Sequence, residues 1–195
     1  MKKSIFGLLC ALVICSISCK QASDLKAFTE AKYSLHKVQH LELNGIDVMQ
    51  KRNPGDFTTN EGDSILASIS DNTLQATTTL YLQVTMQDPD VARQMKITQL
   101  KWQLLVDGEE TLNGVISTPL ELQNGLNELP VQTVVKMSEA DGNRNYEGLS
   151  KLMTLLSHNK DLSSNLTLQI KPTVQTPVGA IEVPQYIAVA GPAGS

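Results

Sequence analysis

Leu74-Gln75-Ala76-Thr77-Thr78-Thr79-Leu80-Tyr81-Leu82-Gln83-Val84-Thr85-Met86 is the stretch that decides the fold class. Leu74, Ala76, Thr78, Leu80, Leu82, Val84 and Met86 fall on one face of an extended chain, and the intervening Gln, Thr and Tyr side chains fall on the other. A period of two over this length, rich in threonine, predicts a half-buried antiparallel strand. Asp88-Pro89-Asp90 ends it as a turn, because Asp side chains bond nearby backbone N–H groups and Pro presets φ.

Working outward, Leu100, Trp102, Leu104 and Val106 share a face of the next strand, which meets Asp107-Gly108, a hairpin signal. The return strand is Thr111 to Ile116, punctuated by Asn113-Gly114. Leu129, Val131, Thr133, Val135 and Met137 alternate again, as do Leu166, Leu168 and Ile170 before Pro172. A last strand over Ile181 to Val189 carries Pro184, which suits an edge or a bulge. An early strand over Leu35 to Leu43 runs into Asn44-Gly45. Short strands with frequent turn signals predict a mainly β domain, an antiparallel β-sandwich.

One or two short helices interrupt this pattern. Tyr146, Leu149, Leu152, Met153 and Leu156 recur at helical spacing over 146–157, with Asn145 as N-cap and Asn159 as stop. Ser64 to Ile69 predicts a shorter helix before Asn72. Such a helix reads as a lid over an open end of the core, with its Leu and Met stripe turned inward. Residues 51–62 read as a surface loop, 31–189 as the β-domain, and 190–195 as a Gly/Pro/Ala tail.

The chain has 195 residues, a formal net charge of −4 and a sequence pI near 5.4. That length supports one domain with a sizeable core. The acidic balance argues against nucleic acid as a partner, which wants a clustered basic face. Its three cysteines, Cys10, Cys15 and Cys19, all lie in the first twenty positions, so no disulfide framework, zinc site or thiol active site is expected beyond them, and no metal or cofactor.

Residues 1–18 read as a bacterial secretory signal peptide: basic Lys2-Lys3, an apolar run from Ile5 to Cys15, then small residues. The apolar run is about half of the ~20 residues that span a bilayer. Two cleavage readings compete. Ser16 and Ser18 satisfy the small-x-small rule of an ordinary signal peptidase, which would release a soluble protein. Ser18-Cys19 also resembles a lipobox, in which the cysteine thiol receives a diacylglycerol and becomes the new N-terminus; Ser16 stands where the usual pattern has an aliphatic residue. Ile14 and Leu9 precede the other two cysteines, and neither is small. Lipidation of Cys19 is the favoured reading, with residues 19–30 as a tether. Two or three acyl chains anchor stably where one does not, since each buried methylene adds about 0.8 kcal/mol. Asp24 is the only acid among the five residues after Cys19. Retention and surface-export signals of lipoproteins tend to be acidic at these places, so the expected location is the outer membrane, facing the periplasm.

The Asp88-Pro89-Asp90 turn, Ile97 to Trp102, Val106-Asp107-Gly108, Gly114, Leu129-Pro130-Val131 and Leu168 to Pro172 together resemble the late embryogenesis abundant type-2 family, allied to the water-stress and hypersensitive-response domain, in its bacterial lipoprotein members. The likeness spans about Ala31 to Val189 and departs from the family pattern where Asp88-Pro89-Asp90 replaces Asn-Pro-Asn. The resemblance implies an immunoglobulin- or fibronectin-like β-sandwich and a non-enzymatic binding or stress-protection role.

A catalytic constellation is not legible. His36 and His40 would share a strand face about 13 Å apart (four residues at ~3.3 Å), too far to chelate one metal together, and His158 is remote in sequence. Asp56, Glu61 and Asp63, and Glu109-Glu110, read as solvated acids without the regular spacing of a calcium loop. Asp63-Ser64-Ile65 resembles an O-glycosylation motif of some lipoprotein-rich bacteria, and Asn165-Leu166-Thr167 is a chance sequon in such a setting. Two functions follow as expectations. One is a lipid-anchored, non-enzymatic envelope protein. The other is an accessory subunit of an outer-membrane assembly or transport complex, docking a protein partner through a strand edge or the 146–157 helix.

Overall fold

The computed structural model describes residues 23–51, 54–140, 143–157, 165–176 and 179–191. The expected signal peptide 1–18, Cys19, His158 and Asn159 lie outside the described residues. The chain runs α1 (23–30), β1 (Lys32–Leu43), β2 (Ile46–Asp47), a 3-10 turn (Pro54–Asp56), α2 (Thr59–Ser70), β3 (Leu74–Thr85), β4 (Gln94–Val106), β5 (Glu109–Ile116), β6 (Leu120–Gln123), β7 (Gly125–Met137), β8 (Glu139–Ala140), β9 (Asn143–Arg144), α3 (Tyr146–Ser157), β10 (Leu166–Thr176), β11 (Gly179–Glu182) and β12 (Ile187–Ala190).

Seven strands close a ring in the order β12, β1, β3, β7, β5, β4 and β10, with β10 returning to β12. The pair β1–β12 is parallel and the others antiparallel, so the barrel is mixed. The mainly β expectation holds. The expectation of two stacked sheets gives way to one hydrogen-bonded ring, because β10 pairs with β4 on one side and with β12 on the other. Strand alternation alone cannot separate the two architectures, since both bury every second residue. The ring has two weak seams: β1–β12 and β5–β7 are each held by two residue pairs.

Leu74, Ala76, Thr78, Leu82 and Val84 of β3 point inward, as the period of two requires. Val84, Ile97, Val106 and Leu122 are among the least exposed side chains of the core. Asp107 and Gly108 both take positive φ, the backbone twist that a two-residue hairpin needs. Asn44 and Gly45 do the same between β1 and β2.

Several boundaries differ from expectation, each for a physical reason. Residues 23–30, expected within the tether, form α1, and its Phe28 is 1% exposed in the core. Residues 59–62, expected in a loop, are the first turn of α2, whose N-terminus is a capping box: Thr58 Oγ1 accepts from the Glu61 N–H and Glu61 accepts from the Thr58 N–H. Pro172 does not end its strand. Its carbonyl accepts from the Val183 N–H, so its missing N–H faces the gap where β12 pairing stops at Ile170 and β11 pairing starts at Thr173. The expected strand Ile181–Val189 is two, β11 and β12, with Pro184 between them. Ala190, expected in the tail, pairs with Ser34.

Gly114 shows why one backbone position admits no side chain. A Cβ there would lie 2.6 Å from the Val134 carbonyl oxygen and 2.7 Å from the Trp102 ring. Beside it, the Trp102 indole N–H donates to Thr133 Oγ1, which donates to the Val115 carbonyl across the β5–β7 seam. Gly114→Ala is expected to destabilise the domain by about 1–3 kcal/mol through overpacking and to shift Trp102 fluorescence. Gly62 has open space around it inside α2, so Gly62→Ala should stabilise by about 0.5–1 kcal/mol. Urea denaturation of both variants checks the opposite signs.

Candidate functional site

The two ends of the barrel differ, and the candidate surfaces follow from that. At one end α1 crosses the mouth. Leu25 and Phe28 pack on the core that Tyr33, Ile97, Leu122, Ile170 and Val174 line, and the Tyr33 hydroxyl donates to the Phe28 carbonyl at 2.6 Å. Arg93 ties the helix start to the β3–β4 connection: its Nε lies 3.2 Å from Asp24 Oδ1, and its Nη1 lies 3.8 Å from Asp88 Oδ2. The Arg93 side chain is only 10% exposed. Beneath α1 remains a cavity of about 10 Å³, scarcely the room one water needs. Side chains therefore fill the barrel mouth, and the candidate surfaces are outside.

At the other end, α2 packs Ile65 and Ile69 against Leu74, Ala76 and Val135, and Leu152 of α3 is buried. Asn side chains there replace ladder bonds where strands stop. Asn44 Oδ1 accepts from Gln75 N–H, and Asn72 Oδ1 accepts from Met137 N–H. Asn145 is the expected N-cap of α3: its Oδ1 accepts from Gly148 N–H at 2.8 Å, while its Nδ2 donates to the Glu110 carbonyl. Ser138 Oγ donates to the same carbonyl. A shallow polar cleft lies beside β2, lined by Asp47, Gln50, Lys51, Asp56 and Glu61. Lys51 Nζ pairs with Glu61 at 3.0 Å and donates to the Asp56 carbonyl. Asp47 Oδ1 accepts from the Met49 N–H.

The residues singled out in sequence are not brought together. His36 and His40 are exposed on β1, each at an irregularity of its pairing with β3 rather than on one regular face. His40 has φ 57° and lies 3.1 Å from Glu42 Oε1. Among the described residues, no group of three or more His, Cys, Asp or Glu could hold a metal ion. Asp63 and Ser64 are exposed on α2, and Asn165 Nδ2 donates to Asp107 Oδ1. Of the acids, Glu61 serves the capping box, while the Glu110 carboxylate accepts from Asn113 Nδ2. Sequence reasoning missed Asp24, Phe28 and Arg93. Leu25 and Phe28 at i,i+3, with Lys26 and Glu30 at i,i+4, carry a usable signal for one amphipathic turn.

Electrostatics reinforce the ladder. Lys101 and Lys171 are directly paired on β4 and β10, and Glu182 of β11 bridges them, at 2.5 Å from Lys101 and 2.9 Å from Lys171. Without that bridge two like charges would face each other. Lys101 and then Lys171 hold the Glu182 carboxyl below its ordinary range. The Thr58 backbone N–H, then Lys51, does the same to Glu61, and Lys151 does so to Glu147. Burial pushes the Tyr33 phenol above its ordinary range.

The sign follows. Depressed carboxyls stabilise the fold above their unfolded pKa and lose that contribution as pH falls through the lower folded value, so Tm is expected to drop below about pH 4.5. Tyr33 stays neutral in the fold while the unfolded phenol ionises, so stability falls again above about pH 10. Thermal melts across pH check both limbs. Tyr33→Phe should cost about 1 kcal/mol at neutral pH, by stripping the Phe28 carbonyl of its donor, and should flatten the alkaline limb. Glu182→Gln should lower Tm most at low salt.

No family model and no curated protein matches the chain. Among solved structures it is similar to "Crystal structure of protein from Archaeoglobus fulgidus", at 12% identity and a TM-score of 0.32, over 58% of this chain and 82% of that chain.

Proposed function

We propose that the chain is a non-enzymatic protein of the bacterial cell envelope, anchored by acyl chains on Cys19 in the outer membrane facing the periplasm. It would act there as a binding or stress-protection module of the late embryogenesis abundant type-2 kind. The observation that carries this reading is a spacing. A basic, apolar, Ser-Cys address ends at Cys19, and the described helix α1 begins four residues later, with no other cysteine in the rest of the sequence. A thiol at that place has no disulfide partner to serve, and acylation gives it a use. Asp24 is spent on Arg93, which leaves the residues just after Cys19 without a free acid as a sorting signal.

The positions that carry the family resemblance make structural contacts. Asp88 meets Arg93 and Gly114 lies under Trp102, so the motif positions hold the fold together rather than line a ligand site. In this reading the implied sandwich corresponds to the ring seen as two faces, β1–β3–β7 and β5–β4–β10–β12, meeting at the two short seams. No metal or cofactor belongs to the proposal.

A specific observation favours a second reading, docking to a protein partner in an envelope complex. On α3 Leu152 is buried, but Met153, expected inward with it, is 48% exposed and Tyr146 is 57% exposed; seven residues apart, the two share one stripe of the helix. The strand-edge route stays open beside it, because β1 pairs with β12, and β7 with β5, over two residues each.

Mass spectrometry of the mature N-terminus tests the anchor. The native chain should begin at Cys19 carrying the diacylglyceryl mass, and Cys19→Ala should lose both the mass and membrane co-sedimentation. An unmodified Cys19 overturns the proposal. Crosslinking at Met153 that recovers a stoichiometric partner would move the conclusion to the second reading.

A further inference from the structure

We infer that the α1 end of the barrel lies against the bilayer surface that holds Cys19, and that the end bearing α2 and α3 points away from it. This inference rests on the anchor proposed above and deepens it by naming the surface that meets the lipid. Its core is the docking of α1. Because Phe28 is 1% exposed and Asp24 is held by an Arg93 that is itself 10% exposed, the chain joins the folded body at Asp24, on the rim beside the Asp88-Pro89-Asp90 turn.

Five peptide units separate Asp24 from Cys19. Fully extended they reach about 18 Å, at ~3.6 Å per residue. The strands that separate the two ends are longer than this leash. A strand of twelve residues such as β3 spans about 40 Å, or roughly 30 Å along the barrel axis at an ordinary tilt. The leash is thus too short to let the barrel invert and stand on its α2 and α3 end with α1 outermost, and charge decides between standing on α1 and lying flat. A tether spanning 19–30 would have been long enough; the docking of α1 removes that freedom.

Charge points the same way. Residues 23–32, 86–96 and 118–125, at the α1 end, carry five acids and four bases. Residues 42–51, 54–73 and 107–110, with the described part of 136–151, carry eleven acids and four bases at the far end. An anionic bilayer surface repels the second end and is nearly indifferent to the first.

The test uses the full-length lipidated protein in vesicles of phosphatidylethanolamine and phosphatidylglycerol containing a headgroup-bound quencher. The only cysteine left after processing is Cys19, which acylation would block, so Asp90→Cys and Asp63→Cys can each take one fluorophore. Both positions are exposed, at opposite ends. Quenching should be severalfold stronger at position 90 than at position 63. A Gly/Ser spacer inserted between Ala22 and Ser23 should bring the two together without changing the N-terminal mass. Equal quenching at the two sites, with Cys19 acylated, overturns the orientation and leaves the anchor standing. Stronger quenching at position 63 overturns it as well. A protein that shields position 90 in vesicles carrying envelope extract, and lifts its quenching, would replace lipid by a protein as the occupant of this end. An unmodified Cys19 overturns the anchor and the orientation together.

Discussion

The ladder between β4 and β10 is the constraint on which the rest depends. It joins nine residue pairs, from Leu166–Val106 to Val174–Ile97, between segments some sixty residues or more apart in the chain. Without it β4 would present an unpaired edge of thirteen residues, the kind of template that drives aggregation. Ile170, Pro172 and Val174 of the same strand form part of the floor on which α1 rests. The closure therefore carries both the barrel and the docking of the helix nearest Cys19. It also offsets two weak seams, each of two pairs, that could not hold a ring by themselves. Forming such distant pairs costs loop-closure entropy before any contact rewards it, so this topology folds slowly for its size.

Polar side chains complete what backbone pairing leaves open. Asn127 is buried, and its Nδ2 donates to the carbonyls of Gln123, Gly125 and Leu82 while its Oδ1 accepts from Gln123 N–H. Asn124 accepts from Met86 N–H in the same corner. With Asn44, Asn72 and Asn145 at the other end, these amides satisfy backbone groups just where strands and helices terminate, sites at which an orphaned group costs about 1–3 kcal/mol. Among the described residues, no buried side-chain nitrogen or oxygen is left without a partner. Polar chemistry inside the domain is thus committed to structure, and recognition has to be carried by the outer surface.

This division explains what could be read in advance. Strand faces were legible because Leu74 to Met86 and Leu129 to Met137 alternate without a break, and burial on one side is the only demand a barrel or a sandwich makes of them. Turn chemistry was legible at Asp107-Gly108 and Asn44-Gly45, where positive φ selects few residues. Ring closure was not, because no side chain encodes which strand lies beside another in space. Pro172 fits inside β10 because its carbonyl still accepts from the Val183 N–H, so only one bond of that pair is forgone. Trp102 falls on the alternating face of β4, but the need for Gly114 beneath it arises from a non-local approach of β5 to β7. Of the candidate surfaces, α3 was legible from its 3.6-residue period and its Asn145 cap. α1 left only the one-turn signal of Leu25 and Phe28, since eight residues hold barely two turns and its decisive partner, Arg93, lies 69 residues away.

The same long-range contact changes what the cysteine means. Read alone, Cys19 followed by a polar stretch describes a flexible leash, and a flexible leash places no demand on the domain behind it. Arg93 converts most of that stretch into part of the fold, because freeing α1 would expose Phe28 and strand a largely buried guanidinium; losing the Phe28 contact alone forfeits about 3–5 kcal/mol by analogy with large-to-small core changes. That is a large share of a domain's net stability, so α1 stays docked. An acyl anchor on Cys19, as proposed, would restrict one end of the barrel. The surface then left free for recognition would be the opposite one, where α3 exposes Tyr146 and Met153 among acidic turns, and a search for a partner belongs there.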